Sequence, residues 1–354
     1  MFNIFKDKNV IVTGHTGFKG SWLSAWLRQL GAKVTGISLD EVSVPSHFVV
    51  TELAKMVQDH RQDIRDSRAM RTLVKEAHPD FVFHLAAQPL VRSAYKDPLT
   101  TYQTNVFGTL NLLEGLRDLK KKCTAVLITS DKCYDNVEWI WGYRETDRLG
   151  GHDPYSASKG AAELVIHSHV KSFFEKDGPV RIAVARAGNV IGGGDWATDR
   201  IVPDCVSAWA KKQTVKLRNP HATRPWQHVL EPLRGYLRLA AELHHRQELH
   251  GEPFNFGPLT HDSHTVLELV EEMSNHWSAV SFEDISEIAS GPYESGLLKL
   301  NCDKALNLLD WKAVLSFKET VRMTANWYRA YYRKPNTIRD ITFAQIQEYE
   351  TLVK

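Results

Sequence analysis

The sequence predicts an α/β protein, in which a doubly wound, mostly parallel sheet is joined to a smaller, discontinuous lobe of mixed α/β structure. Three observations support this prediction. Up to Ala187, short apolar runs alternate with helical patterns, which is typical of parallel sheets. A glycine-rich loop separates the first apolar run from the first helical pattern. Beyond Ala187 the alternation breaks, although no internal repeat, low-complexity segment or long linker divides the chain.

Length and composition exclude several classes of protein. The chain has 354 residues, of which 43% are apolar and 24% charged, as expected for a soluble protein of one large or two smaller domains. A net charge of +2 predicts no strong attraction to nucleic acid or membrane. The start does not resemble a signal peptide, and no apolar run approaches the ~20 residues of a membrane span. The four cysteines lack Cys-x-x-Cys spacing, which favours free thiols in the cytoplasm over disulfides or a metal site.

The first predicted unit consists of a strand, a glycine loop, a helix and a second strand. An apolar strand at 9–13 runs into Gly-His-Thr-Gly-Phe-Lys-Gly at 14–20, and a helix capped by Gly31 precedes a strand at 33–38. Such a unit opens Rossmann-type dinucleotide-binding folds, because glycines let the backbone approach a pyrophosphate and the helix N-terminus stabilises its charge. The loop residues expected to contact the cofactor are Gly14, Thr16, Gly17, Phe18, Lys19 and Gly20.

Acidic residues after the second strand indicate which dinucleotide binds. Asp40 or Glu41 could bind the ribose hydroxyls, and no arginine follows directly to bind a 2′-phosphate, which favours NAD. It is equally consistent with the sequence that either acid lies in a surface loop and binds no ligand. Asp63 and Ile64 are expected to contact the adenine, or else to form a solvated turn before the helix predicted at 67–77.

The next two strands place polar groups at the carboxyl edge of the sheet. A strand at 81–87 ends in small residues that allow a cofactor to approach; His84 is expected to be packed rather than catalytic. A helix from about Thr101 to Leu119 carries Asn105, whose alternative role is a surface amide. The strand at 125–128 follows this helix.

Five side chains after this strand predict chemistry. Ser130, Asp131 and Lys132 follow the strand directly, where an open α/β sheet presents groups to a ligand. Tyr155 and Lys159, four residues apart on a helix, lie on the same face. Each pattern alone is more often structural, but their joint occurrence in one dinucleotide-binding fold makes chance improbable.

Beyond another buried strand at 181–186, the sequence predicts a second lobe. Residues 188–196 are predicted to form a glycine-rich loop, and Arg218, Arg224 and Trp226 follow it. An arginine near a cofactor fold suits the binding of a pyrophosphate. The simpler interpretation is that both arginines are surface charges. A helix is predicted from Val229 to Leu243 and a returning strand at 253–257. We therefore predict an NAD-binding domain at 1–188 plus 229–257, and a substrate-binding lobe at 189–228 plus 258–354.

Together these motifs resemble the extended short-chain dehydrogenase/reductase superfamily over nearly the whole chain. Within it, Asp131-Lys132 resembles the acid pair of nucleotide-sugar 4,6-dehydratases, in which an Asp-Glu pair is typical. Lysine in place of glutamate, together with the motifs at 14–20, 84–88 and 224–228, is most similar to the branch that acts on CDP-glucose. The resemblance implies tightly held NAD, CDP-glucose as substrate, CDP-4-keto-6-deoxyglucose as product and a homodimer or homotetramer built on helix pairs.

Two sets of ligand contacts complete the prediction. Beyond the glycine loop, the expected cofactor contacts are Asp40, Asp63, Ile64, Leu85, Ala86, Ala87, Gln88, Asn105, Thr129, Tyr155 and Lys159. The expected substrate contacts are Gln88, Asn189, Arg200, Ile201, Leu217, Arg218, Asn219, Arg224, Trp226 and His228. No metal is expected.

The five predicted catalytic residues suggest a redox-neutral dehydration. Tyr155, with its phenolate favoured by Lys159 and the nicotinamide ring, is expected to deprotonate the sugar 4-hydroxyl with help from Ser130. Lys132, if neutral, and Asp131, if protonated, then supply the base that removes the C5 proton and the acid that protonates the departing 6-hydroxyl, or the pair acts with a shared proton. A 4-epimerase would use the same residues without this pair, and a non-catalytic binding protein would have lost the Ser/Tyr/Lys set. A nucleic-acid-binding protein would need a clustered basic face.

Overall fold

The computed structural model describes residues 2–259, 263–278, 280–286 and 296–353. Their central element is a seven-stranded sheet in the order β11-β6-β5-β4-β1-β2-β3, with every neighbouring pair parallel. The described strands are β1 Asn9–Thr13, β2 Lys33–Ser38, β3 Gln58–Arg61, β4 Phe81–His84, β5 Cys123–Ile128, β6 Val180–Arg186, β7 Val190–Ile191, β8 Val215–Leu217, β9 Thr223–Arg224, β10 Gln227–His228, β11 Pro253–Asn255, β12 His264–Thr265 and β13 Phe282–Asp284. The predicted doubly wound parallel sheet is confirmed.

Helices cover both faces of this sheet. The described helices are α1 Phe18–Gln29, α2 His47–Val50, α3 Ser67–Ala77, α4 Val91–Lys96, α5 Pro98–Tyr102, α6 Gly108–Arg117, α7 Pro154–Phe173, α8 Ile201–Ala210, α9 Leu230–His245, α10 Val266–Ser274, α11 Asp303–Leu309, α12 Phe317–Arg333 and α13 Ile338–Leu352. The helix expected from about Thr101 to Leu119 instead begins at Pro98, carries a π-helical segment at Gln103–Phe107 and ends at Arg117. Among the described residues, no helix is long and apolar enough to cross a bilayer.

The strand order creates a crevice at the carboxyl edge of the sheet. The chain leaves β1 toward β2 on one side and reaches β4 on the other, so the order reverses between β1 and β4. The glycine loop crosses this point closely: a Cβ on Gly14 would lie 2.7 Å from the backbone nitrogen of Ala86, and one on Gly20 would lie 2.1 Å from the carbonyl oxygen of Gly14. Only glycine fits at either position.

The smaller lobe is assembled from short strand pairs. Beside the cavity, β7 pairs with β10 and β8 with β13 in parallel, while β9 and β12 pair antiparallel. The segment 188–196, predicted as a loop, therefore contains the two-residue strand β7. These pairs join residues that are far apart in sequence, which is why no local pattern indicates them.

The C-terminal helices pack against the first helix of the sheet domain. The indole Nε1 of Trp26 in α1 donates to the Glu350 carboxylate at 2.8 Å, and the ring of Tyr349 meets Trp26 edge-on. Trp327 of α12 joins the same buried cluster through His47. One hydrophobic core thus includes residues from both predicted units, and the boundaries proposed for them stay a prediction.

Candidate active site

One cavity of about 1180 Å³ runs along the carboxyl edge of the sheet and into the smaller lobe. Its walls include the glycine loop, the ends of β2, β4 and β5, the start of α7 and the N-terminal part of α8. Most of the predicted ligand contacts line it. These are Gly14, Thr16, Gly17, Phe18, Lys19, Gly20, Asp40, Asp63, Ile64, Leu85, Ala86, Ala87, Thr129, Asn189, Arg200, Ile201, Arg218, Asn219, Arg224 and Trp226. The five predicted catalytic residues line it as well.

Ser130 and Asp131 form a buried pair at the end of β5. Ser130 has an extended backbone and caps a single 3₁₀ turn at Asp131–Cys133, accepting a hydrogen bond from the amide of Lys132 at 3.2 Å. Its hydroxyl donates to Asp131 Oδ1 at 2.9 Å, and Asn189 Nδ2 lies 3.4 Å from Oδ2. The tight turn directs three consecutive polar side chains toward one cavity.

Gly188 makes room for the Asp131 carboxylate. A Cβ at position 188 would lie 1.9 Å from Asp131 Oδ2 and 2.1 Å from its carboxyl carbon. No real Cβ approaches another atom so closely, so any side chain there would displace Asp131. The glycine after β6 therefore fixes the position of the acid that follows β5.

Tyr155 and Lys159 face the same space from the first turns of α7. Asp153 caps this helix by accepting from the amides of Tyr155 and Ser156 at 2.9 and 3.0 Å. Burial raises the pKa of Tyr155 to about 12, although a hydrogen bond with Ser130 and the charge of Arg200 oppose the shift. In the protein alone, desolvation thus outweighs these opposing influences on Tyr155, and the expectation that Lys159 together with the nicotinamide ring favours the phenolate stays a prediction.

Two lysines share the interior of the site. Burial lowers the pKa of Lys159 to about 8, while the nearby Glu163 carboxylate opposes the shift. Burial also lowers the pKa of Lys19 to about 8, helped by the positive charge of Lys159 and opposed by Asp131. Lys19 Nζ lies 3.4 Å from the Tyr236 hydroxyl. The middle of the cavity thus holds two amines that are mostly cationic near neutral pH.

A buried ion pair supports the catalytic face from behind. Arg186, at the end of β6, donates from Nε and Nη2 to the two carboxylate oxygens of Glu163 at 2.8 and 2.9 Å. Thr129 donates to the same carboxylate at 2.5 Å, and Arg186 Nη1 donates to the Tyr134 hydroxyl at 2.7 Å. Since Glu163 lies one helical turn after Lys159, this pair ties α7 to the strands that carry the catalytic residues.

Arginine–aspartate pairs line the wall of the smaller lobe. Arg200 binds the buried Asp195 at 2.6 Å, and Arg218 binds the exposed Asp199 at 2.8 Å. Arg224 donates to the carbonyl oxygen of Thr223 at 2.8 Å. Each arginine is only partly buried, so a ligand can reach all three guanidinium groups.

Four predicted ligand contacts lie behind the wall instead of on it. Asn105 bonds the Gln88 backbone in both directions and donates to Ser158, while the Gln88 side chain bonds Thr101 and the Leu90 amide. The residues that do not line the cavity are Gln88, Asn105, Leu217 and His228. Protein partners or full burial occupy these side chains, which places them in supporting positions behind the wall; their assignment as ligand contacts stays a prediction.

Sequence reasoning also missed residues of the cavity. Arg92 and Asp204 line it, and burial raises the pKa of Asp204 to about 6 against the opposing charge of Arg218. Arg61 does not line the cavity, but it contacts Asp40, which does, and the neighbouring Glu41. Arg61 is the last residue of strand β3, and the polar composition of this strand gives no apolar pattern by which the sequence could reveal it.

Comparison with known proteins gives consistent findings. A family model described as GDP-mannose 4,6 dehydratase matches residues 11–324. A CDP-glucose 4,6-dehydratase from Salmonella typhimurium is 47% identical over 339 residues, which cover 94% of this chain and 93% of that protein. A CDP-paratose 2-epimerase from Salmonella typhi is 24% identical and covers 90% of this chain and 98% of its own length.

Solved structures share the fold over almost the whole chain. An epimerase from Methanothermobacter thermautotrophicus aligns with a TM-score of 0.78 at 24% identity, covering 95% of this chain and 96% of that one. A dTDP-glucose 4,6-dehydratase from Bacillus anthracis, solved in complex with NAD, aligns with a TM-score of 0.73 at 21% identity, covering 91% and 96%. At these identities the structural match establishes the fold.

Proposed function

The chain belongs to the GDP-mannose 4,6-dehydratase family, and we propose that it converts CDP-D-glucose to CDP-4-keto-6-deoxy-D-glucose and water. The observation that carries this proposal is the meeting of Asp131 and Lys132 with Ser130, Tyr155 and Lys159 at one cavity. The 47% identity to a CDP-glucose 4,6-dehydratase supports the same substrate. The reaction is a lyase reaction with no net oxidation.

The cavity fits NAD as the resident cofactor. The glycine loop leaves no room for side chains and opens onto the N-terminus of α1, a combination that suits a pyrophosphate. Asp40 lines the cavity just after β2, where an acid suits a ribose hydroxyl. NAD, when bound, accepts the hydride from C4 and returns it to C6.

Tyr155 is the proposed base for the sugar 4-hydroxyl. Its pKa of about 12 in the protein alone means that it stays protonated until more positive charge approaches. The positive ring of the cofactor would add that charge beside Lys159, which is already in place on the same helix face. Ser130, which bonds both Tyr155 and Asp131, orients the hydroxyl for proton transfer.

Asp131 and Lys132 are the proposed acid–base pair for the elimination. Once C4 is a ketone, the hydrogen on C5 becomes acidic, and the 6-hydroxyl needs a proton to leave. A hydrogen bond from Ser130 holds the Asp131 carboxylate in the space that Gly188 leaves free. Lys132 lies on the same turn and is partly exposed. The two groups act together, so their individual roles are those of a coupled pair.

The arginines of the smaller lobe are the proposed binding groups for the diphosphate. Arg200, Arg218 and Arg224 line the cavity and are within reach of solvent. An anionic diphosphate could replace Asp199 as the partner of Arg218, because planar guanidinium groups bind phosphate oxygens bidentately. Binding there directs the sugar toward Tyr155.

We also propose that the protein acts in the cytoplasm as a homodimer or homotetramer. Large apolar side chains remain exposed on α7 itself and on the helical segment from Pro98 to Phe107 that packs beside it. Leu99 is 67% exposed, Phe107 56% and Leu164 61%. A second copy that packs the same helices against these side chains would bury a self-complementary surface.

Product analysis tests the proposed reaction. The purified protein, incubated with CDP-glucose and without added NAD, should form a ketone that absorbs in alkali, with no net NADH at steady state. Stoichiometric NADH would identify an ordinary dehydrogenase. Formation of CDP-galactose without a 6-deoxy product would identify a 4-epimerase, and no reaction with tight NAD binding would favour a non-catalytic binding protein.

A further inference from the structure

Arg61 lies beside Asp40, a residue of the cavity wall, and three carboxylates surround it. Asp40 and Glu41 follow β2, while Asp59 and Arg61 belong to the neighbouring strand β3. Arg61 Nη1 donates to Asp40 at 3.1 Å and Nη2 to Glu41 at 2.9 Å. Its Nε and Nη2 also donate to the two oxygens of Asp59 at 2.8 and 2.9 Å.

The remaining side of this cluster is also fixed. His15 of the glycine loop donates from Nε2 to Asp59 at 2.8 Å; burial lowers its pKa, so the ring is neutral at physiological pH. The guanidinium of Arg61 lies 5.2 Å from the centre of the Phe48 ring. Asp59 thus accepts hydrogen bonds from His15 on one side and from Arg61 on the other. Arg61 in turn lies between the Phe48 ring and three carboxylates.

The cluster uses most of the hydrogen-bonding capacity of the arginine. An arginine side chain has five N–H donors, and four hydrogen bonds to carboxylates occupy Arg61. Three carboxylates around one guanidinium also leave this corner with two excess negative charges. Hydrogen bonds with Glu41 and then Asp59 raise the pKa of Arg61 further, so it remains a cation throughout.

We infer that Asp40 and Glu41 exclude NADP by sequestering Arg61, an arginine that would otherwise bind a 2′-phosphate. A phosphomonoester carries about −1.5 to −2 charges at neutral pH, so it meets repulsion from the acids and an arginine with four of its five N–H donors already bound to carboxylates. This inference rests on the proposed NAD site. No arginine follows Asp40 and Glu41 directly in sequence, but the neighbouring strand β3 brings Arg61 beside them, and the acids occupy it.

The position of the cluster supports a role at the ribose. In this fold the acid after the second strand faces the adenosine ribose, and Asp40 lines the cavity with a side chain that is 90% exposed. Arg61 is paired in register with Ser38, the last residue of β2, so the arginine and the acid leave adjacent strand ends. A guanidinium released from Asp40 and Glu41 would therefore lie beside the 2′-oxygen.

Binding measurements on a set of variants test the inference. Cofactor-depleted protein is titrated with NADH and with NADPH by calorimetry. We expect wild type to prefer NADH strongly. Asp40→Asn combined with Glu41→Gln should tighten NADPH binding by about 10–100-fold, the range of a charged hydrogen bond. NADH binding should weaken, because Asp40 no longer accepts as a carboxylate.

Adding Arg61→Met to these two substitutions should abolish the gain for NADPH. As a matched control, Glu52→Gln with Asp118→Asn removes two exposed acids that do not line the cavity, and should leave both affinities unchanged. A gain that persists without Arg61, an equal gain in the control, or no gain in the first variant would each overturn the inference. Wild-type protein that binds neither NADH nor NADPH would refute the proposed cofactor site itself.

Discussion

The two sides of the cavity are built differently. On the sheet side, Ser130 and Asp131 follow a buried strand and Tyr155 lies on a twenty-residue helix, and all three are less than a tenth exposed. On the side of the smaller lobe, Arg218 follows the three-residue strand β8 and Arg224 ends the two-residue strand β9. Both arginines are partly exposed. The first construction fixes reacting groups in place, whereas the second offers charges that can exchange partners. Substitutions on the sheet side should therefore reduce kcat, and those on the lobe side should raise KM.

Removing the Tyr155 hydroxyl should have the largest effect. Tyr155→Phe deletes the proposed base, so kcat should fall by about 10²–10⁴-fold, the usual contribution of a general base. No NADH should form on the enzyme, and KM should change little. Steady-state kinetics and absorbance at the NADH wavelength measure this.

Tyr95→Phe is the matched control, because Tyr95 is an exposed tyrosine that lines the same cavity. It should keep normal activity. If Tyr155→Phe retained more than a tenth of wild-type kcat, another group would have to be the base.

Changing the acid–base pair should separate the two halves of the reaction. Asp131→Asn or Lys132→Met should slow product formation by about 10²–10⁴-fold. Oxidation at C4 should persist, because Tyr155, the proposed base for that step, is unchanged. Mixing either variant with CDP-glucose should therefore give enzyme-bound NADH that persists, which stopped-flow absorbance detects.

Asp135→Asn is the matched control. Asp135 lies three residues after Lys132, does not line the cavity and pairs with Arg148. It should turn over normally. Folded, substrate-binding variants of Asp131 and Lys132 that form no NADH would place the pair in the first step instead.

The buried ion pair behind the sheet side should matter for stability. Arg186→Met leaves the Glu163 carboxylate buried without its bidentate partner, which should lower the free energy of unfolding by about 3–5 kcal/mol. Urea denaturation measures the loss. Adding Glu163→Leu should recover most of it, because both partners of the ion pair are then removed together and no unpaired carboxylate stays buried. If the double variant were as unstable as the single one, packing rather than charge would explain the loss.

The smallest effects should come from the lobe side. Arg218→Ala or Arg224→Ala should raise KM about 10–100-fold through loss of a charged hydrogen bond to the diphosphate, with kcat nearly unchanged and NAD retained. Lys212→Ala, at an exposed residue that does not line the cavity, is the control. Normal KM values in both arginine variants would show that these are surface charges and that the diphosphate binds elsewhere.

The same contrast explains what sequence could predict. The unit from β1 to β2, the residues after β5 and the pair on α7 were predicted correctly, because apolar periodicity and glycine spacing are local signals. Strand β3 was missed, since Gln58–Arg61 has no apolar run and is largely exposed. The carboxylate cluster around Arg61 was missed with it, because strand order alone brings β2 and β3 together.

The lobe was harder to predict because its contacts are long-range. Strand β7 has two residues, too few to show a period, and its partner β10 lies nearly forty residues later in the chain. Gln88 and Asn105 looked like ligand contacts because polar residues follow a cofactor strand, yet they bond each other. Whether a polar side chain points into a cavity or into the wall depends on partners that a sequence does not reveal.

The fate of the C4 hydrogen tests the central claim most directly. A hydride carried on a bound nicotinamide cannot exchange with water, whereas the C5 proton passes through acid–base side chains that can. CDP-glucose deuterated at C4 should therefore give a product whose new methyl group carries that deuterium within the same molecule, and reaction in deuterium oxide should label C5. Loss of the C4 label to solvent, its return to C4, or its appearance in another sugar of a mixed-label experiment would contradict the internal hydride transfer.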